Sequence, residues 1–323
     1  MNIEIIGAGA LGLLFGGKLA AAGERVRFWT RTPEQAALLK TQGISLTEAD
    51  GRSRFIEGIC FDTAYMEENG ELERKSEAEW LLITTKQRHI DDNLLSFLRG
   101  LAGRQTKAVC FQNGVGHLNR VQQALPERLV FAAITTEGAK RTDGRSVIHA
   151  GFGETNIGIY WNRNQSGKVV QETETEASRL TGESLVKMLG TAGFAAFLSK
   201  DIDREIYRKL LINAVINPLT ALWRVDNGQL LENAERKALL RQLCDEGISI
   251  YRAHGIPCDE DMYDQIVAIC RATSTNVSSM LKDVQQGTPT EIDFINGRLV
   301  EMASAKGLSA PGHELVWRLV RAL

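Results

Sequence analysis

This 323-residue chain has few cysteines, no long apolar run and no excess of charge of either sign. The five cysteines (Cys60, Cys110, Cys244, Cys258 and Cys270) show no C-x-x-C spacing. An odd, scattered set argues against a disulfide framework or a zinc site and for reduced thiols in a cytoplasmic protein, so no metal is expected. No apolar stretch approaches the ~20 residues that cross a bilayer, so no membrane partner is expected. The amino terminus has no basic segment ahead of an apolar one. It enters "MNIEIIGAGALG", which reads as a folded element and not as a signal peptide. The formal net charge is −2 and the pI about 6.3, which argues against the basic face of a nucleic-acid partner.

What is present is ordinary for a soluble globular protein, with 43% apolar and 24% charged residues. The length exceeds what one hydrophobic core usually serves, so two domains are expected. Up to about residue 200, strand-like and helix-like segments alternate. "NIEIIG", "RVRFWT", "EWLLITTK" and "KAVCFQNG" read as strands, and "ALGLLFGGKLAAAG" as a helix ended by Gly23. A second helix starts at Thr32, with Thr32 as N-cap, Pro33 at N1 and Gln35 completing a capping box. "GISLTEADGRSRFIEGICF" reads as a hairpin turning at Asp50-Gly51. Strands also flank a turn at Asp143-Gly144. Residues 161–178 read as an exposed polar loop, a helix follows near 180–191, and "FAAFLS" reads as the closing strand. The order βαβα and then β implies an α/β fold: a Rossmann-type doubly wound sheet with an antiparallel extension over residues 1–199. From 200 to 323 helical periodicity takes over, and an all-α domain is expected, with Gly255 and Gly307 placed as helix-ending glycines. The five histidines have no partner motif and read as loop or surface residues.

Gly7, Gly9 and Gly12 spell G-x-G-x-x-G in "GAGALG". The pattern follows a strand, opens a helix and precedes a second strand, the context of a dinucleotide site. Gly7 permits the tight turn, Gly9 lets backbone approach a pyrophosphate, and Gly12 allows close packing. The helix start, Ala10 and Leu11 included, then faces the phosphates. NAD-binding versions usually carry an acid at the end of the second strand. Here Thr30 and Arg31 stand there, and an arginine suits the 2′-phosphate of NADP. Thr85 and Lys86, and Gln112, Asn113 and Gly114, follow two further strands at the edge where ligands bind.

In "KLLINAVINPLTAL", residues 209–222, Lys209, Asn213 and Asn217 recur every four residues on an otherwise apolar helix. That spacing places them along one stripe. Pro218 removes a helical hydrogen bond and frees a carbonyl near Asn217 or one turn earlier. Partial burial would lower the pKa of Lys209 and make it a readier proton donor for a developing alkoxide. On pattern alone, a lysine snorkelling from the helix start accounts for it at least as well. Downstream, Ser279 and Asp283 share a face, and Glu291 opens a helix after Pro289. A carboxylate there could orient Lys209, although acids are also routine in a first helical turn.

Together, "GAGALG", "TTK" with Lys86, "QNGVG" with Asn113, "RKLLINAVINPLTAL" and "SSMLKDVQQGTPTEIDFINGRLV" resemble the ketopantoate reductase family over essentially the whole chain. The resemblance implies a Rossmann domain joined to a helical domain like that of 6-phosphogluconate dehydrogenase, with the active site between them. It implies NADPH-dependent reduction of ketopantoate to (R)-pantoate on the way to pantothenate and coenzyme A. By the same resemblance Lys209 is the proton donor, and Glu291 binds the substrate hydroxyl and orients the site. Asn213, Asn217 and Ser279 contact substrate. Asn113 and Lys86 lie near nicotinamide and the substrate carboxylate, and Arg31 holds the 2′-phosphate. Gln87-Arg88-His89 and the length of the 161–178 insertion depart from the family pattern. Reduction of another branched 2-keto acid, and a non-enzymatic NADPH-binding regulatory protein, remain as alternatives. Exposed helices in the second half leave a homodimer open.

Overall fold

The computed structural model describes residues 1–66, 78–160 and 175–323. The chain divides into two compact units, Met1–Gln112 with His117–Ile202, and Asn113–Gly116 with Asp203–Leu323.

The first unit begins β1 (Asn2–Ile6), α1 (Ala10–Ala21), β2 (Arg25–Thr30) and α2 (Pro33–Gln42). The hairpin β3 (Ile44–Thr47) and β4 (Ser53–Ile56) and the strand β5 (Asp62–Tyr65) follow. Next come β6 (Trp80–Ile83), α3 (Asp92–Leu101), β7 (Lys107–Cys110), α4 (His117–Ala124) and β8 (Val130–Thr135). The unit ends with β9 (Gly138–Arg141), β10 (Ser146–Gly151), β11 (Glu154–Ile159), α5 (Glu176–Thr191) and β12 (Ala195–Leu198). Among the described residues eight strands form one sheet in the order β12-β11-β8-β7-β6-β1-β2-β5. Its pairings are parallel except β11 with β8. Strands buried on both faces need continuous apolar sequence, which is what Trp80, Leu81, Leu82 and Ile83 supply. The chain leaves β1 in both directions across the sheet, so β1 and β6 flank the switch point where ligands of such sheets bind.

The antiparallel extension is more elaborate than the sequence suggests. The stretches on either side of Asp143-Gly144 each break into two strands. One of each pair extends the main sheet (β8, β11), and the other (β9, β10) joins β3 and β4 in a second, four-stranded sheet. Residues 161–174 of the expected insertion lie outside the described residues. Its last four do not belong to a loop: Thr175 accepts from the Ser178 amide as N-cap of α5.

A cluster of buried charge joins α1 to this second sheet. Lys18 Nζ lies 2.9 Å from Glu48 Oε1 and 3.0 Å from His149 Nδ1. His149 Nδ1 is 2.9 Å from Glu48 Oε2, and its Nε2 is 2.5 Å from Glu137 Oε2. Burial pushes the Glu48 carboxyl up, but the hydrogen bonds and charges of Lys18 and His149 outweigh that and hold it below its ordinary value.

The second unit is helical. It comprises α6 (Ile202–Trp223), α7 (Ala234–Ala253), α8 (Met262–Ala272) and α9 (Ser279–Gln285). A π-helical turn (Asp293–Gly297) then leads into α10 (Arg298–Ala305), and α11 (Pro311–Arg321) ends the unit. Leu210, Leu211, Ala214 and Val215 of α6 are buried in one core with Leu240, Leu243, Cys244 and Tyr251 of α7 and Leu299 of α10. Among the described residues no helix is long and apolar enough to cross a membrane.

Candidate functional site

The glycine turn behaves as its spacing requires. Gly7 has φ +101°, and a Cβ there would come within 2.7 Å of Thr85 Cγ2. At Gly12 a Cβ would lie 1.9 Å from the Gly7 carbonyl oxygen, so only glycine closes the turn. Gly9, the N-cap of α1, has open space where a Cβ would stand. Open space in front of the amides that start a helix is what a pyrophosphate needs. Thr84 Oγ1 donates to the Gly7 carbonyl at 2.7 Å, and Gln112 Nε2 donates to the carbonyls of Ile83 and Thr85 at 2.9 and 2.8 Å. Thr85 Oγ1 and Gln112 Oε1 are buried polar atoms with no protein partner among the described residues, which suits a polar ligand at this edge.

Gln35 does not complete the expected capping box. Thr32 Oγ1 accepts from the Gln35 amide, but the Gln35 side chain turns away and donates to the carbonyls of Ala8 (3.0 Å) and Gly144 (2.9 Å). Two acceptors brought close by the fold outcompete the local backbone amide. The result braces the glycine turn against the β9–β10 connection.

Arg31 is exposed just after β2. Lys86, Arg88 and His89 follow β6, and Arg88 Nε donates to His89 Nε2 at 3.2 Å. Burial, and then the charges of Arg88, Arg31 and Lys86, push the His89 pKa down, opposed by Asp91. Cations from two loops thus share one neighbourhood, a setting for an anion.

In the second unit the stripe is real. Leu210, Leu211, Ala214 and Val215 turn into the core, whereas Lys209 and Asn213 stay half-buried and Asn217 is buried. Burial lowers the Lys209 pKa to about 8, and the Glu291 carboxylate pulls it back toward its ordinary value. Glu291 Oε2 accepts from Asn113 Nδ2 at 3.4 Å. Lys209, Glu291 and Asn113, separated by up to 178 residues in sequence, therefore meet around one point. Ser279 is exposed at the first position of α9. Its neighbour Ser278 is the buried residue: it caps α9 and its hydroxyl meets that of Thr220 on α6 at 2.7 Å.

Other buried polar residues carry no local signal in the sequence. Three histidines expected at the surface, His117, His149 and His313, are buried. His117 is pushed down to about 3 and His313 to about 4, each chiefly by burial. The carbonyl freed by Pro218 is that of Ala214, and Asn296 Nδ2 donates to it at 2.8 Å. Only the proline signalled this in advance; the residue answering it is 82 positions away from Ala214.

Comparison with known proteins assigns the chain to a family. Residues 3–162 match the family described as ketopantoate reductase PanE/ApbA, and residues 201–323 match its C-terminal counterpart. The chain belongs to the ketopantoate reductase family. A 2-dehydropantoate 2-reductase of Listeria monocytogenes is 33% identical, covering 100% of this chain and 97% of the relative. One of Shigella flexneri is 30% identical, covering 99% and 94%. The crystal structure of a probable 2-dehydropantoate 2-reductase from Bacillus subtilis, 28% identical, superposes with a TM-score of 0.80 over 100% of this chain and 99% of that one. D-mandelate dehydrogenase, solved with NADH and anilino(oxo)acetate, shares the ketopantoate reductase fold at a TM-score of 0.85 over 100% and 97%, with 21% identity.

Proposed function

We propose that the protein is a 2-dehydropantoate 2-reductase, reducing ketopantoate to (R)-pantoate with NADPH in the cytoplasm. The observation that carries the mechanism is the Lys209 ammonium, held at a pKa of about 8 beside Glu291 on a polar stripe. Residues 1–199 bind the cofactor and lend Asn113 to the substrate, and residues 200–323 supply the acid and the other substrate contacts. The first unit fits NADPH: open space at Gly9 for the pyrophosphate, amides from Ala10 and Leu11, and Arg31, with Arg88 nearby, for the 2′-phosphate, while Lys86 lies toward the nicotinamide and the substrate carboxylate.

When bound, NADPH supplies the hydride that adds to the keto carbon. The former carbonyl oxygen then carries the negative charge, and Lys209 donates a proton to it. A lysine near pKa 8 remains mostly ammonium at neutral pH and releases its proton more readily than an ordinary one. Glu291 binds the substrate hydroxyl and keeps the ammonium oriented. Asn213, Asn217, Asn113 and Ser279 bind the keto acid as neutral hydrogen-bonding groups, adding no charge beside the carboxylate.

The experiment is NADPH oxidation with a panel of 2-keto acids. Ketopantoate is expected to show the highest kcat/KM, well above 2-ketoisovalerate, which lacks the hydroxyl that Glu291 would bind. Equal values would sink the pantoate assignment and favour a reductase of another branched keto acid. No turnover with any of them would favour a regulatory NADPH-binding protein.

Arg31→Ala tests the cofactor assignment. It removes a charge-assisted contact to the 2′-phosphate, so KM for NADPH is expected to rise at least tenfold, with KM for NADH changing little. Parallel losses for both cofactors would remove Arg31 from phosphate recognition.

A further inference from the structure

Pro218 lies inside α6, and the helix continues through it to Trp223. Proline has no amide hydrogen, so the Ala214 carbonyl, four residues earlier, loses its helical partner. That carbonyl sits one residue after Asn213 and three before Asn217, in the fully buried centre of the helix. Leaving it unpaired would cost the desolvation of a buried acceptor. Asn296, fully buried in the π-helical turn that follows Glu291, supplies the bond at 2.8 Å.

The orientation of the Asn296 amide follows from its neighbours. His313 Nε2 lies 2.9 Å from the Leu243 carbonyl and must donate to it, which leaves Nδ1 as an acceptor. Asn296 Nδ2 lies 3.0 Å from that Nδ1. Both neighbours of Nδ2 are therefore acceptors, and its two hydrogens serve them both. Burial keeps the His313 ring neutral by pushing its pKa down to about 4, which preserves Nδ1 as an acceptor at working pH.

An ordinary i to i+4 bond would be local to α6. Its replacement by a side chain from another element turns it into a tertiary bond. We infer that Asn296 is a positioning residue of the reductase site: by answering the carbonyl that Pro218 frees, it locks the stripe of α6 to the turn that Glu291 opens. His313 in turn sets Asn296 and extends the link to α7 through Leu243. The inference rests on the proposed reductase reading, because only turnover reveals the relative placement of Lys209, Asn213 and Glu291.

The test is a double-mutant cycle in the full-length protein. Asn296→Leu is expected to lower kcat/KM for ketopantoate at least tenfold per NADPH-binding site, with the NADPH Kd within about twofold of wild type. Pro218→Ala restores an amide hydrogen for Ala214, so in the Pro218→Ala background the same Asn296→Leu change is expected to cost less than about twofold. If Asn296→Leu does not fold, Asn296→Ser in both backgrounds replaces it with the same criterion. Unchanged kcat/KM in the single variant, or an undiminished loss in the Pro218→Ala background, would overturn the inference. Failure of the functional reading is separate: the wild type itself would not oxidise NADPH with ketopantoate, and the cycle would run on whichever 2-keto acid it does reduce.

Discussion

Lys209→Met is expected to lower kcat with ketopantoate by ~10²-fold or more, the scale of a lost general acid, while NADPH binds nearly as before. Methionine keeps the unbranched, half-buried stem and removes only the ammonium, so packing of α6 is preserved. The same change is expected to stabilise the fold at neutral pH. The folded state holds the Lys209 pKa at about 8, below its ordinary 10.5. Between those values the unfolded chain binds more protons than the native one, so this group makes stability rise with pH across that window. At pH 7 keeping the ammonium in place costs up to about 3 kcal/mol. The Lys209→Met protein should therefore melt no lower than wild type at pH 7, with its advantage shrinking toward pH 10 to 11. Thermal melts at both pH values check this. Undiminished turnover would remove Lys209 from the mechanism, and a large drop in melting temperature at pH 7 would mean that the lysine holds the fold together.

His149→Leu is expected to cost the protein ~1–3 kcal/mol, the usual penalty for leaving buried polar groups without their hydrogen-bond partner. His149 is fully buried, and it bridges Glu137 on one side to Glu48 and Lys18 on the other. Without it, the Glu137 carboxylate, whose side chain is 2% exposed, keeps the Gly153 amide at 3.1 Å and loses the His149 ring as hydrogen-bond partner. For a unit of this size the melting temperature should fall by roughly 5 °C. kcat with saturating NADPH should change little at temperatures where the variant stays folded. An unchanged melting temperature would show that the cluster contributes nothing to stability.

The two predictions draw on parts of the molecule that differ in how much of them local sequence reveals. The glycine turn was readable because its three constraints, Gly7, Gly9 and Gly12, act within six residues. The polar stripe of α6 was readable because helical periodicity alone aligns Lys209, Asn213 and Asn217. The partners of those groups were not. Glu291 and Asn113 reach Lys209 only through the tertiary fold, and their roles came from family resemblance. Pro218 announced a freed carbonyl, but nothing near it identified Asn296. Histidines carry no periodic signature when their partners are distant, so His149 and His313 read as surface residues. Gln35 shows the opposite failure: a sound local rule assigned its side chain to a capping box, and two carbonyls supplied by the fold outcompeted it. Strand positions around Asp143-Gly144 were legible, yet their division between two sheets depends on pairing that no single segment encodes.

The most direct test of the account is the pH dependence of kcat/KM for ketopantoate with NADPH. Lys209 must carry a proton to donate it, so kcat/KM is expected to hold near neutrality and to fall above an apparent pKa of about 8. A profile flat to pH 10, or no ketopantoate-dependent NADPH oxidation at any pH, would contradict it.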